Sequence, residues 1–150
     1  MKKYANCFAM IVITAWIGGL WGIGYLAAPV LFQTLPDKML AGLLAGKMFT
    51  MVSYLGIASA CYLLVYYLTC SGKEMLRQPV FWVVVAMLLL TLVGQFGIQP
   101  IMVEIKELAQ PADVMHSAYA DRFRMLHGIS SIAYLIQSLL GLFLVLKGRR

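Results

Sequence analysis

Charged residues are absent from four long stretches of the chain, Tyr4 to Pro36, Met48 to Gly72, Gln78 to Val103 and Met125 to Leu146, and crowd into the segments between them. Each stretch exceeds about 20 residues, enough at about 1.5 Å per residue to cross a hydrocarbon layer about 30 Å thick. Backbone polar groups find no water in that layer, so such a stretch must satisfy them internally as a helix. The apolar-polar alternation of a barrel strand is missing. The pattern predicts an all-α protein, an antiparallel bundle of four membrane helices over approximately 7–30, 49–70, 80–99 and 125–146, in a single transmembrane domain spanning 1–150.

The connections differ in kind. SGKEMLRQP is a tight link, with Gly72 suited to closing the second helix and Pro79 to opening the third. FQTLPDKMLAGLLAGK begins polar and continues with apolar residues at helical spacing, as a short helix lying at the membrane surface would. The third connection, Pro100 to Arg124, holds four of the six acidic residues, has room for another such helix, and is expected to divide at Pro111.

Composition agrees: 62% hydrophobic and 12% charged residues leave far too much apolar surface for a water-soluble fold of 150 residues. The net charge of +6 then reads as a topology signal and not as a nucleic-acid footprint. With four crossings, Lys2, Lys3, Lys73, Arg77, Lys147, Arg149 and Arg150 share one side, against Lys38, Lys47, Lys106, Arg122 and Arg124 on the other. The basic excess predicts a multi-pass protein of the inner (cytoplasmic) membrane with both termini in the cytoplasm. Lys2 and Lys3 ahead of an apolar run resemble a signal peptide, but the run is long and Leu26 and Pro29 flank the would-be cut after Ala28, so a retained helix is expected. Cys7, Cys61 and Cys70 fall within or at the cytoplasmic ends of helices, with no CxxC or zinc spacing.

Polar and small residues inside the apolar stretches carry what functional signal there is. At about 100° per residue, Thr91, Gln95 and Gln99 follow one side of the third helix, while Arg124, His127, Ser131, Tyr134 and Ser138 occupy a narrow sector of the fourth. Such stripes are costly against lipid, so they are expected to face each other inside the bundle as a polar seam. Pro29 and Pro100 each remove a backbone donor, and beside Arg124 and His127 they predict a shallow polar vestibule near the external face. Ala15, Gly18, Gly19 and Gly22 make a small-residue sector on the first helix, and Ser53, Gly56 and Ala60 a second one. Both are expected to serve packing within the bundle, with a homo-oligomer or another membrane protein as the other use of such faces besides the lipid bilayer.

His127 on its own admits two chemistries, a hydrogen bond to a neighbouring helix or ligation of haem or copper. His116, Met48 and Met51 are the accompanying metal candidates, since thioethers suit Cu(I), although methionine is also a routine filler of apolar gaps. No Walker loop, dinucleotide fingerprint, GxSxG elbow or HExxH helix is present, so no catalytic residues are assigned and the expectation leans away from an enzyme.

GGLWGIGYLAAPVLFQTLP from Gly18, QPIMVEIK from Gln99 and RFRMLHGISS from Arg122 together resemble the domain-of-unknown-function family 4149, related to eukaryotic transmembrane protein 205. The resemblance implies a four-helix integral membrane protein without an assigned biochemical activity, and marks Pro29, Phe32, Pro100, Glu104, Phe123 and His127 as family-like positions. A more distant similarity in layout leads to the copper-resistance D type and to small haem-associated membrane proteins, which carry histidine in an early membrane helix where this chain has none. The expected function is a non-enzymatic binding, scaffold or transport accessory component, the alternative a copper- or haem-handling redox protein using His127.

Overall fold

The computed structural model describes residues 2–110 and 113–147. Within them lie four helices long and apolar enough to cross a membrane: α1 (Tyr4–Thr34), α2 (Lys38–Cys70), α3 (Pro79–Ala109) and α4 (Ala120–Lys147). The fold is all-α, with no strand among the described residues. Pro111, expected to divide the third connection, and Arg149 and Arg150 lie outside the described residues.

Every helix is longer than its expected span. α2 starts at Lys38, so the segment expected to form a separate surface helix is continuous with the second crossing. The reason is local: no proline stands between Lys38 and Phe49, and burial of Ala41 and Ala45 holds these turns in line despite Gly42 and Gly46. The turn before it is built by two side chains. The Asp37 carboxylate accepts from the N–H groups of Met39 and Leu40 at 2.8 and 3.1 Å, capping α2. Lys38 Nζ donates to the carbonyls of Phe32 and Leu35 at 2.6 and 3.1 Å, closing α1. At the other end Gly72 takes φ 57°, the left-handed conformation that stops α2, and Pro79 opens α3 where its missing N–H costs nothing.

α1 and α3 run in the same direction and share one device. Each passes through a six-residue π-helical stretch, Gly22–Ala27 in α1 and Val93–Ile98 in α3, and then through a proline, Pro29 or Pro100. In both, the residue before the proline donates five residues back, Ala28 to Ile23 and Gln99 to Gly94. The wider turn relieves the clash that proline makes with the preceding carbonyls, and this lets α1 continue to Thr34 and α3 to Ala109 instead of ending near Val30 and Gln99.

Each helix packs on its sequence neighbours, and α1 also on α4, closing a ring. Ile13, Trp16 and Ile17 of α1, Leu63 of α2, Val84 and Met87 of α3 and Leu144 of α4 form the tightly buried apolar core, concentrated in the half nearer the termini. Outside, the pattern inverts that of a soluble bundle. Only 22% to 28% of each most apolar window is buried within the chain, and Ile11, Val65, Leu89, Val93, Ile132 and Leu139 point outward. A girdle of that extent is stable only against lipid or another membrane protein.

The small-residue sectors divide. Gly56 and Ala60 of α2 are buried, and Gly19 of α1 packs on Val52 and Leu55. Gly18 and Gly22 have nothing within 4 Å of where a Cβ would stand. Their GxxxG spacing therefore does not serve packing within the bundle, contrary to expectation, because the α1 face that meets α2 and α4 lies on the other side of the helix.

Candidate functional site

Hydrogen bonds between the helices gather near the middle of the bundle. Gln137 Nε2 of α4 donates to Thr91 Oγ1 of α3 at 2.7 Å, and Thr91 Oγ1 donates to the Met87 carbonyl at 2.8 Å; both side chains are buried. Tyr25 of α1 donates its hydroxyl to Ser138 Oγ at 2.9 Å. Tyr134 of α4 reaches the Leu20 carbonyl, and a Cβ on Gly24 would overlap its ring, so the first π stretch receives the Tyr134 side chain where a larger residue would exclude it. Tyr25 and Phe49 meet the same ring edge-on, with centroids 6.1 and 5.3 Å away. Three helices are thus fastened through one tyrosine. Pro29 has no N–H to give, so the carbonyls of Gly24 and Tyr25 lack a donor from it, and those of Gln95 and Phe96 lack one from Pro100.

The expected single seam is split. Thr91 and Ser138 are buried and Tyr134, Gln95 and Gln99 half-buried, but Arg124, His127 and Ser131 are exposed. Two physical causes account for this. The π stretch in α3 inserts about one extra residue into the turn, so positions four apart no longer stack across it; Gln99 accordingly turns to α2, with Nε2 3.7 Å from the Cβ position of Gly46. Beyond its own π stretch, α1 leans on α2, leaving the upper turns of α4 without a helix over His127 and Ser131. Those side chains settle locally: Ser131 Oγ donates to the His127 carbonyl at 2.8 Å, and Arg124 pairs with Asp121 at 3.2 Å. The vestibule expected beside Arg124 and His127 is therefore not assembled from those residues. Gln137, the buried partner that matters most, escaped the sequence reading because it lies off the seam's sector; its sequence signal is an amide seven residues from Leu144, on the core-facing side.

His127→Leu follows from this placement as a mild substitution. It is expected to change unfolding free energy in detergent by less than about 0.5 kcal/mol, as for other exposed positions; a loss several times larger would place the imidazole inside the bundle.

A second cluster stands at the end of the bundle opposite the termini, where all four helices contribute. Lys106 Nζ of α3 lies over the Phe123 ring of α4, 5.5 Å from its centroid. Phe123 in turn stacks on His127, with centroids 5.9 Å apart and planes 11° from parallel. The Cβ position of Gly42 on α2 is 3.9 Å from Lys106 Nζ and 3.8 Å from Cζ of Phe32 on α1. Of the family-like positions, Phe32 and Phe123 thus stand beside Lys106 and His127 behind Phe123, while Pro29, Pro100 and Glu104 are exposed. Lys106 is half-buried, and among the described residues no carboxylate lies within 4.0 Å of its ammonium. The metal candidates are dispersed in character: Met51 and His116 are exposed and Met48 is half-buried. The described residues contain no group of three or more His, Cys, Asp or Glu side chains able to hold a metal ion.

The family model for a domain of unknown function (DUF4149) matches residues 11–111, well over half of the chain. The chain belongs to the DUF4149 family. In this DUF4149 protein the matched stretch includes Pro29, Phe32, Pro100, Glu104 and Lys106 and ends before Phe123 and His127. No curated protein and no solved structure matches the DUF4149 chain.

Proposed function

We propose that this DUF4149 protein is a non-enzymatic binding component of the inner membrane, a scaffold or transport accessory, that recognises its partner at the bundle end opposite its termini. One observation carries the reading: a half-buried lysine, without a carboxylate partner among the described residues, resting on an aromatic ring that stacks on an exposed imidazole. Such a set recognises a ligand by charge and by a flat apolar surface. The polar groups of Tyr25, Thr91, Tyr134, Gln137 and Ser138, by contrast, are spent on contacts between helices and serve to hold them together. Seven basic residues on the termini side against five on the other support cytoplasmic termini. The outward side of Gly18 and Gly22 offers a smooth path for a neighbouring helix, of a second copy or another membrane protein. Kinship with transmembrane protein 205 belongs to the same reading, through the proline and phenylalanine spacing at the end of α1.

A photo-crosslinking residue in place of Val103, exposed one turn below Lys106, tests it in intact membranes. The expected result is a discrete adduct that Lys106→Met removes. Adducts indifferent to Lys106 would overturn recognition at this end.

A further inference from the structure

We infer that Lys106 is the centre of a binding site for the phosphate of an anionic phospholipid, held at the headgroup level between α2, α3 and α4. This rests on the reading of that end as a recognition surface and names its ligand.

Depth is the first argument. Lys106 stands 27 residues beyond Pro79 on α3, about 40 Å along the helix at 1.5 Å per residue, whereas the hydrocarbon layer is about 30 Å thick. With Pro79 near one boundary, the Lys106 ammonium comes level with the headgroups of the opposite leaflet. Charge is the second. An ammonium drawn half out of water needs a counter-charge, and among the described residues Lys106 has only the face of Phe123. Glu104 and Glu107 on the same helix are exposed and not paired with it, Arg124 takes Asp121, and Asp37 and Asp113 are occupied as helix and turn caps. Every carboxylate of this end is thereby turned away or employed.

Shape is the third argument. Lys106 Nζ lies close to α2, 3.9 Å from the Cβ position of Gly42, so the half-buried charge sits in a recess bounded by Phe123 and Phe32 and not on an open surface. Lysine is a compact point charge that binds phosphate from any direction. Below it, the exposed Val103 of α3 and Ile129 of α4 continue an apolar surface against which acyl chains lie. A lipid with a net negative headgroup fits better than a zwitterionic one, whose own ammonium competes with Lys106 for the phosphate.

Thermal unfolding of the full-length protein in a non-ionic detergent, titrated with short-chain lipid, gives the test. Phosphatidylglycerol is expected to raise the midpoint by about 5 °C near saturation. Lys106→Met should abolish most of that shift, Lys106→Arg should retain it, and Lys47→Met, which removes an exposed charge elsewhere, should leave it intact. The inference is overturned if wild type does not shift, if Lys106→Met shifts as much as wild type, or if Lys47→Met loses the effect equally. Phosphatidylcholine acting as strongly would remove the role of headgroup charge, and inorganic phosphate acting as strongly would remove the lipid. A Lys106-dependent protein adduct in the crosslinking experiment, with no lipid shift here, would sink the lipid assignment while leaving the recognition reading in place.

Discussion

Gly56→Ala is expected to destabilise the bundle by about 3 kcal/mol, at the upper end of what inserting one carbon into a tight interior costs. A Cβ at Gly56 would stand 2.7 Å from Nε1 and 3.3 Å from Cε2 of Trp16. The obstacle is a flat ring, completely buried, that has no flexible tip to swing aside. Either the indole leaves its place among Ile13, Leu63 and Val84, or α1 and α2 separate. The same substitution at Gly18 supplies the control. There a Cβ meets nothing within 4 Å, and relief of glycine's backbone entropy should leave stability unchanged or raise it by up to about 1 kcal/mol. Unfolding free energies in mixed micelles measure both, and equal losses at the two sites would contradict the assigned orientation of α1.

The second large effect lies in the interior hydrogen bond between α3 and α4. Thr91→Val is expected to cost about 2 kcal/mol, because it leaves the Gln137 amide buried without its partner. Gln137→Leu should cost about half as much, since the Thr91 hydroxyl keeps its bond to the Met87 carbonyl. In the double variant both polar groups are gone, and the loss should fall short of the sum by about 1 kcal/mol, within the range of hydrogen-bond couplings between membrane helices. Strict additivity in that cycle would mean that the two side chains do not bond.

Both predictions concern faces, which is where the sequence was least informative. The GxxxG pair at Gly18 and Gly22 was visible in the sequence and pointed to close packing, yet the glycines met within 3 Å by a side chain of another helix are Gly24, Gly56 and Gly141, met by Tyr134, Trp16 and Ile17. Spacing identifies which small residues share a face but not what that face meets. His127 illustrates the same limit: its alignment with Tyr134 and Ser138 is real along α4, but those two meet α1 and His127 rises above the level where α1 leans away. Phe32 and Phe123 stood out as family-like positions, but nothing local joined them to Gly42 and Lys106, since each of the four residues comes from a different helix.

By itself the sequence determined that this chain makes four membrane-spanning helices, near where they run, and that the charge collects at the two ends of the bundle. The cause is that an unpaired charge or a bare peptide group is expensive in hydrocarbon wherever the helices happen to stand, so the cost is written residue by residue. Only the tertiary structure decided the azimuth of each helix, the phase shift across the two π stretches, and the partners of Tyr134, Gln137 and Lys106. Those depend on how helices lean on one another. In lipid that is governed by close packing and hydrogen bonds and not by a difference in apolarity between inside and outside, so a hydrophobic pattern carries little record of it.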